Sequence, residues 1–180
     1  MEPNISPPSS KDIETGIDRL ADEICSKHAT TTDLAIFGVA NGGIPLADLL
    51  HRKIELNLGG DIPIGTVDIS FHRDDIAHNP IPKDTDPTEV PIDIDGANIL
   101  LVDDVIYTGR SVRAAVNELF DLGRPSTIEL AVLYDRGGRK LPIQPDYRAF
   151  YHEHSTSYLV QVALDLGQPI NHAITISKET

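Results

Sequence analysis

Two adjacent carboxylates, Asp103 and Asp104, stand where an apolar run gives way to a turn rich in hydrogen-bond donors. The run, Ile99-Leu100-Leu101-Val102, is expected to be a strand buried on both faces of a parallel sheet. After the acids come Val105 and Ile106, then Tyr107-Thr108-Gly109-Arg110-Ser111, then a helical stripe of Val112, Ala115, Val116 and Leu119. Backbone N–H groups, two hydroxyls and a helix N-terminus within one short turn suit a phosphate group. Open α/β sheets hold their ligands at the C-terminal ends of strands. Carboxylates there can accept hydrogen bonds from sugar hydroxyls while the turn holds a phosphate of the same molecule. Taken singly, the acids could cap a helix and Thr-Gly-x-Ser could be an ordinary turn. Their order along one segment is what marks a sugar-phosphate site.

Such a site needs a frame, and the flanking pattern supplies one. Ser10 precedes a helical stripe of Ile13, Ile17, Leu20, Ala21 and Ile24, with Ser10 as its expected cap. Residues 34–39 read as an apolar strand, and Gly42-Gly43 opens a helix carrying Ile44, Leu46, Ala47, Leu49 and Leu50. Residues 62–71 alternate as a strand should. Residues 72–89 are polar, with Pro80, Pro82 and Pro87, and read as a long loop or hairpin of the kind that serves as a lid. Gly123 ends the helix that follows the phosphate turn. Residues 128–134 form another strand, closing on Asp135-Arg136-Gly137-Gly138, and residues 147–151 and 160–164 look like short terminal strands. Strands separated by helices predict an α/β, doubly wound, mostly parallel sheet flanked by helices. Residues 1–10 read as a disordered leader and 11–180 as a single domain. Three loops then converge on one sheet edge, at residues 39–43, 103–111 and 134–138.

Composition narrows the classes. No apolar run approaches the roughly 20 residues a bilayer span needs. The lone cysteine, Cys25, allows no internal disulfide, fits a cytoplasmic protein and reads as a packing residue on a helix. Net charge is −13, which opposes non-specific binding to nucleic-acid backbones. No G-x-G-x-x-G follows a strand and no G-x-x-x-x-G-K-[ST] occurs, which argues against a dinucleotide oxidoreductase and a P-loop NTPase. His152, Glu153 and His154, with His72, are metal-ligating residue types, but no third ligand can be picked from spacing.

The run from Ile99 to Ser111 resembles the phosphoribosyl-pyrophosphate (PRPP) signature of type I phosphoribosyltransferases. With Asp68-Ile69-Ser70-Phe71-His72-Arg73-Asp74-Asp75, Gly123-Arg124-Pro125-Ser126 and Asp135-Arg136-Gly137, the chain is similar to the pyrimidine-operon regulator/uracil phosphoribosyltransferase family, PyrR. The similarity runs from about Ile13 to about Ile176. It implies the type I phosphoribosyltransferase fold, with a small hood and a flexible loop, and a homodimer or larger homo-oligomer. It implies the reaction of PRPP with uracil to give UMP and pyrophosphate, with Mg²⁺, alongside regulation of pyrimidine biosynthesis genes. Asp103 and Asp104 would bind the ribose hydroxyls, and Mg²⁺ indirectly through ribose and water. Tyr107, Thr108, Gly109, Arg110 and Ser111 would hold the 5′-phosphate, with Asn41, Gly42 and Gly43 lining the pyrophosphate side. Arg73, in the closing loop, and Arg136, near base and pyrophosphate, would complete the catalytic set.

The departures from the family carry expectations of their own. Where the family has Lys-Thr-Arg-Gly after its first strand, this chain has Ala40, Asn41, Gly42 and Gly43, so both cations facing pyrophosphate are gone. Losing charge-assisted contacts of about 1.5–3 kcal/mol each predicts weak PRPP binding and poor catalysis, with nucleotide binding largely kept. The family's first helix presents Thr, Arg and His where this chain has Asp18, Arg19 and Asp22. Arg139 persists, but the Arg and Lys that should follow are Gln144 and Phe150, which argues against RNA binding. The family's Pro-Thr-Ser-Lys becomes Glu153, His154, Ser155 and Thr156, opening the question of another base. A non-enzymatic reading, a UMP sensor acting through a protein partner, also fits a stripped pyrophosphate loop.

Overall fold

The computed structural model describes residues 6–69 and 87–178. The chain opens with helix α1 (Ser10–His28), then strand β1 (Leu34–Val39), helix α2 (Gly43–Leu58) and strand β2 (Ile64–Val67). It continues through β3 (Asn98–Ile106), α3 (Arg110–Leu122), β4 (Thr127–Asp135), β5 (Tyr147–Tyr151), β6 (Tyr158–Ala163) and β7 (Ala173–Lys178). The first five strands form one sheet in the order β2-β1-β3-β4-β5, every pair parallel. Helices α1 and α2 cover one face over a core of Ile13, Ile17, Leu20, Ile36, Leu46, Leu50, Leu100 and Leu133. Helix α3 covers the other, over Phe37, Ile99, Leu101, Val132, Ala115 and Leu119. With both faces covered, apolar residues in succession on β1 and β3 are all buried, as the unbroken runs predict.

Local chemistry shifts several boundaries. The cap of α1 is Ser9 rather than Ser10: Ser9 Oγ accepts from Asp12 N–H at 3.3 Å, and Asp12 Oδ2 accepts from Ser9 N–H at 3.0 Å. This reciprocal pair draws Ser9 and Ser10 out of the leader and into the helix start. Strand β2 begins at Ile64 rather than at residue 62 and its pairing with β1 ends at Val67, where Ala40 N–H to Val67 C=O, 2.9 Å, is the last rung; residues 70 and 71 of the expected strand lie outside the described residues. The closing loop, with His72, Arg73, Asp74 and Asp75, lies outside the described residues. Strand β7 went unread in the sequence. It pairs antiparallel with β6 from Tyr158↔Lys178 to Ala163↔Ala173, and Ile174 and Ile176 pack the hairpin against the α1–α2 side of the core. Among the described residues no helix is long and apolar enough to cross a membrane.

Candidate active site at the C-terminal edge of the sheet

Strand β3 runs on through the acids, so Asp103 and Asp104 are set by backbone pairing rather than by a loose turn. Asp103 is buried and Asp104 half-buried. Both side chains curl onto the chain that follows: Asp104 N–H donates to Asp103 Oδ1 at 3.0 Å, and Val105 N–H to Asp104 Oδ1 at 2.8 Å. Burial, then the neighbouring Asp104 charge, pushes Asp103 well above the usual carboxylate range, and burial raises Asp104 as well. Two crowded carboxylates of this kind await cations or hydroxyl donors.

The β1–α2 loop lies directly against them. A Cβ on Gly43 would sit 2.2 Å from the Val102 carbonyl oxygen, and one on Gly42 2.6 Å from an Asp104 carboxylate oxygen. Only glycine allows this approach. The Ala40–Asn41 peptide is cis, and no side chain caps α2 at Gly42. The sheet therefore brings Asn41, Gly42 and Gly43 to the acids, without a cation on the loop.

Beyond Ile106 the chain makes the turn expected to hold a phosphate. Gly109 adopts φ +89° and becomes the N-cap of α3, a conformation that favours glycine. Thr108 Oγ1 accepts from Arg110 N–H at 3.3 Å, leaving Arg110 and Ser111 exposed at the helix start. Arg136 is buried, its guanidinium carbon 3.9 Å from the Tyr107 ring centroid and its Nη2 donating to Ser155 C=O at 3.3 Å. Its Nε is buried without a hydrogen-bond partner among the described residues. Gly138, at φ +72°, lets the backbone lie against Tyr107, since a Cβ there would come within 2.5 Å of the ring. Arg73 lies outside the described residues, so its expected place in the site is not seen.

Other side chains at this edge were missed or misassigned. Tyr134 O–H lies 2.8 Å from His154 Nε2, and the His152 and Tyr158 rings pack against His154 at 4.8 and 6.0 Å between centroids. Burial, His152 and Arg136 together lower the His154 pKa, favouring a neutral ring that accepts from Tyr134. Among the described residues no three His, Cys, Asp or Glu side chains are grouped to hold a metal. His154 meets Tyr134, a partnership across twenty residues that no local spacing signals. On the face the resemblance linked to RNA, Arg19 is exposed and donates to Ala149 C=O, while Asp18 pairs with Lys53 at 2.5 Å at the surface.

Comparison with known proteins agrees with this geometry. The family described as phosphoribosyl transferase domain matches residues 9–165. The "Bifunctional protein PyrR" of Listeria welshimeri is 42% identical over 173 residues, 92% of each chain, and that of a Picosynechococcus strain is 45% identical over 77% of this chain and 78% of its own. Among solved structures, the purine phosphoribosyltransferase of Pyrococcus horikoshii superposes with a TM-score of 0.58 at 26% identity, over 81% of this chain and 86% of that one. A parallel sheet with paired acids and a phosphate turn at its C-terminal edge defines the class as a type I phosphoribosyltransferase. Within that class, the chain belongs to the PyrR family.

Proposed function

We propose that the protein transfers the phosphoribosyl group of PRPP to uracil, releasing UMP and pyrophosphate, and that UMP occupancy governs expression of pyrimidine biosynthesis genes. The observation that carries this reading is the abutment of Asp103 and Asp104 on the Tyr107–Ser111 turn along one strand–loop–helix. Asp103 and Asp104 accept hydrogen bonds from the ribose hydroxyls, and the turn holds the 5′-phosphate with N–H groups and the α3 terminus. As the bond from C1 to pyrophosphate breaks, positive charge grows on the ribose ring, and the two carboxylates stabilise it. Arg136 and Tyr107 flank the place of the base, and Arg73 belongs to the loop that closes over it.

The donor set suits Mg²⁺. A buried and a half-buried carboxylate, both hard ligands with raised pKa values, favour a cation nearby, held through ribose and water rather than in a cage of side chains. When bound, the ion would neutralise charge on the departing pyrophosphate. Its remaining ligands would be substrate oxygens.

The Ala40–Gly42 stretch offers pyrophosphate no cation and sets Gly42 against the Asp104 carboxylate. This favours weak turnover with nucleotide binding kept, and it supports a second reading, a UMP sensor that acts through a protein partner. We further assign the working form to a cytoplasmic homodimer or larger homo-oligomer. A turnover assay with PRPP, Mg²⁺ and a panel of bases, run beside UMP calorimetry, tests the whole reading. UMP formation from uracil with PRPP supports the transferase, tight UMP binding without turnover supports the sensor, and faster reaction with another base overturns uracil as substrate.

A further inference from the structure

We propose that Arg139 is a positioning residue for the phosphate turn, aiming its N–H groups and so setting the affinity of the site for a phosphate monoester. The inference rests on reading Tyr107 to Ser111 as the phosphate turn. The sequence placed Arg139 among cations facing RNA, yet its side chain is only 12% exposed and its guanidinium is used inside the molecule. Nη1 donates to Tyr107 C=O at 2.8 Å and to Gly137 C=O at 3.3 Å, while Nε donates to Ile143 C=O at 3.0 Å. Nη2 lies 2.7 Å from Asp135 Oδ1, an ion pair at the buried end of β4. Asp135 is held in turn by Gly137 N–H and by Arg148 Nη1, each at 3.0 Å.

The segment that follows completes the brace. Lys140 and Leu141 N–H both donate to Thr108 C=O, at 3.0 and 3.2 Å. Two consecutive carbonyls of the turn, those of Tyr107 and Thr108, are thus drawn toward residues 137–143. In a planar trans peptide the N–H points opposite to the C=O of the same unit. Holding the Tyr107 carbonyl therefore turns Thr108 N–H the other way, and holding the Thr108 carbonyl does the same for Gly109 N–H. Those amides are what an anion at a helix N-terminus binds. Lysine, with one ammonium on a flexible stem, cannot span three carbonyls and a carboxylate as the planar guanidinium does.

The test measures binding of UMP and of uridine by calorimetry to wild type, Arg139→Lys, Arg139→Met and Arg148→Met, with a thermal melt of each. Arg148→Met removes the other cation from Asp135 without touching the turn, so it should leave the preference for UMP over uridine unchanged. Both Arg139 variants should weaken UMP binding about tenfold or more while uridine binding holds, with Arg139→Lys the better folded probe. An equal loss for both ligands, or none, in folded Arg139 variants overturns the inference alone, as does an equal loss of UMP preference in Arg148→Met. Wild type that binds uridine as tightly as UMP overturns the phosphate-turn reading, and the inference with it.

Discussion

Asp103 is a carboxylate in a place hostile to carboxylates, buried at a strand end with a second acid beside it. Its raised pKa means the folded state prefers the protonated form. That contribution to stability is fully present below the ordinary value near 3.8 and is lost as pH rises through the folded-state value. Once pH passes that value, the unliganded protein carries repulsion between the two acids that a bound sugar or cation would relieve. Asp103→Asn keeps an acceptor for Asp104 N–H and removes the charge. We expect a higher Tm at pH 7, on the order of 2–4 °C for each kcal/mol relieved, and turnover lowered about 100-fold or more. A melt and a rate assay on one preparation check both; a lower Tm with ordinary turnover would contradict the assignment. Ala40 is the complementary case, a neutral residue where the family has lysine. Ala40→Lys is expected to lower the KM for PRPP about tenfold, one charge-assisted contact, while leaving the Kd for UMP nearly unchanged. Steady-state kinetics with PRPP varied, beside UMP calorimetry, decide it.

Elements deliver these residues by close backbone approach. Helix α2 begins hard against β3 because Gly43 has no side chain, and the same contact holds the β1–α2 loop beside Asp104. Gly43→Ala would drive a methyl to within 2.2 Å of the Val102 carbonyl oxygen, backbone that β1 and β4 hold on either side. The helix must retreat, and we expect a loss on the order of 2–4 kcal/mol with activity falling more steeply than stability. Denaturant unfolding against turnover at matched temperature separates the two. The start of α1 was readable to within one residue, Ser10 standing for the cap that Ser9 supplies, and so was the Gly123 end of α3, because such signals span only three or four residues. Strand β7 was not, since an exposed hairpin strand buries little, and its pattern is weak without its partner β6.

At the scale of the molecule the sheet separates stability from chemistry. Its C-terminal edge holds the acids and the Tyr107–Ser111 turn. At the opposite end, near the start of β4, Glu129 accepts from Tyr147 O–H at 2.6 Å, meets Lys27 at 2.9 Å and lies 3.1 Å from His28. Burial alone would raise the Glu129 pKa, but hydrogen bonds from Tyr147, Lys27 and His28 outweigh it and the net shift is downward. Its stabilisation is therefore present above the ordinary value of 4.5 and is lost as pH falls through the folded-state value. Glu129→Gln is expected to lower Tm at pH 7, to shrink the further loss on acidification, and to leave turnover at pH 7 unchanged. Melts between about pH 7 and 4 give the slope, whose sign follows from the depressed pKa. A variant as acid-sensitive as wild type would show that the cluster does not carry the linkage.

The paired acids, the Tyr107–Ser111 turn and the alternation of strand and helix stood out in the chain because they are contiguous, Asp103 to Ser111 spanning one strand–loop–helix. Tertiary structure decided which other side chains serve them. Arg139 reaches Tyr107 across 32 positions and turns inward, His154 pairs with Tyr134, and Arg19 donates from the surface to a β5 carbonyl. A local pattern records what a backbone can do over a few residues. Whether a cation faces solvent, a ligand or a buried carbonyl depends on which distant segments the sheet order brings beside it, and that order follows from how the whole core packs.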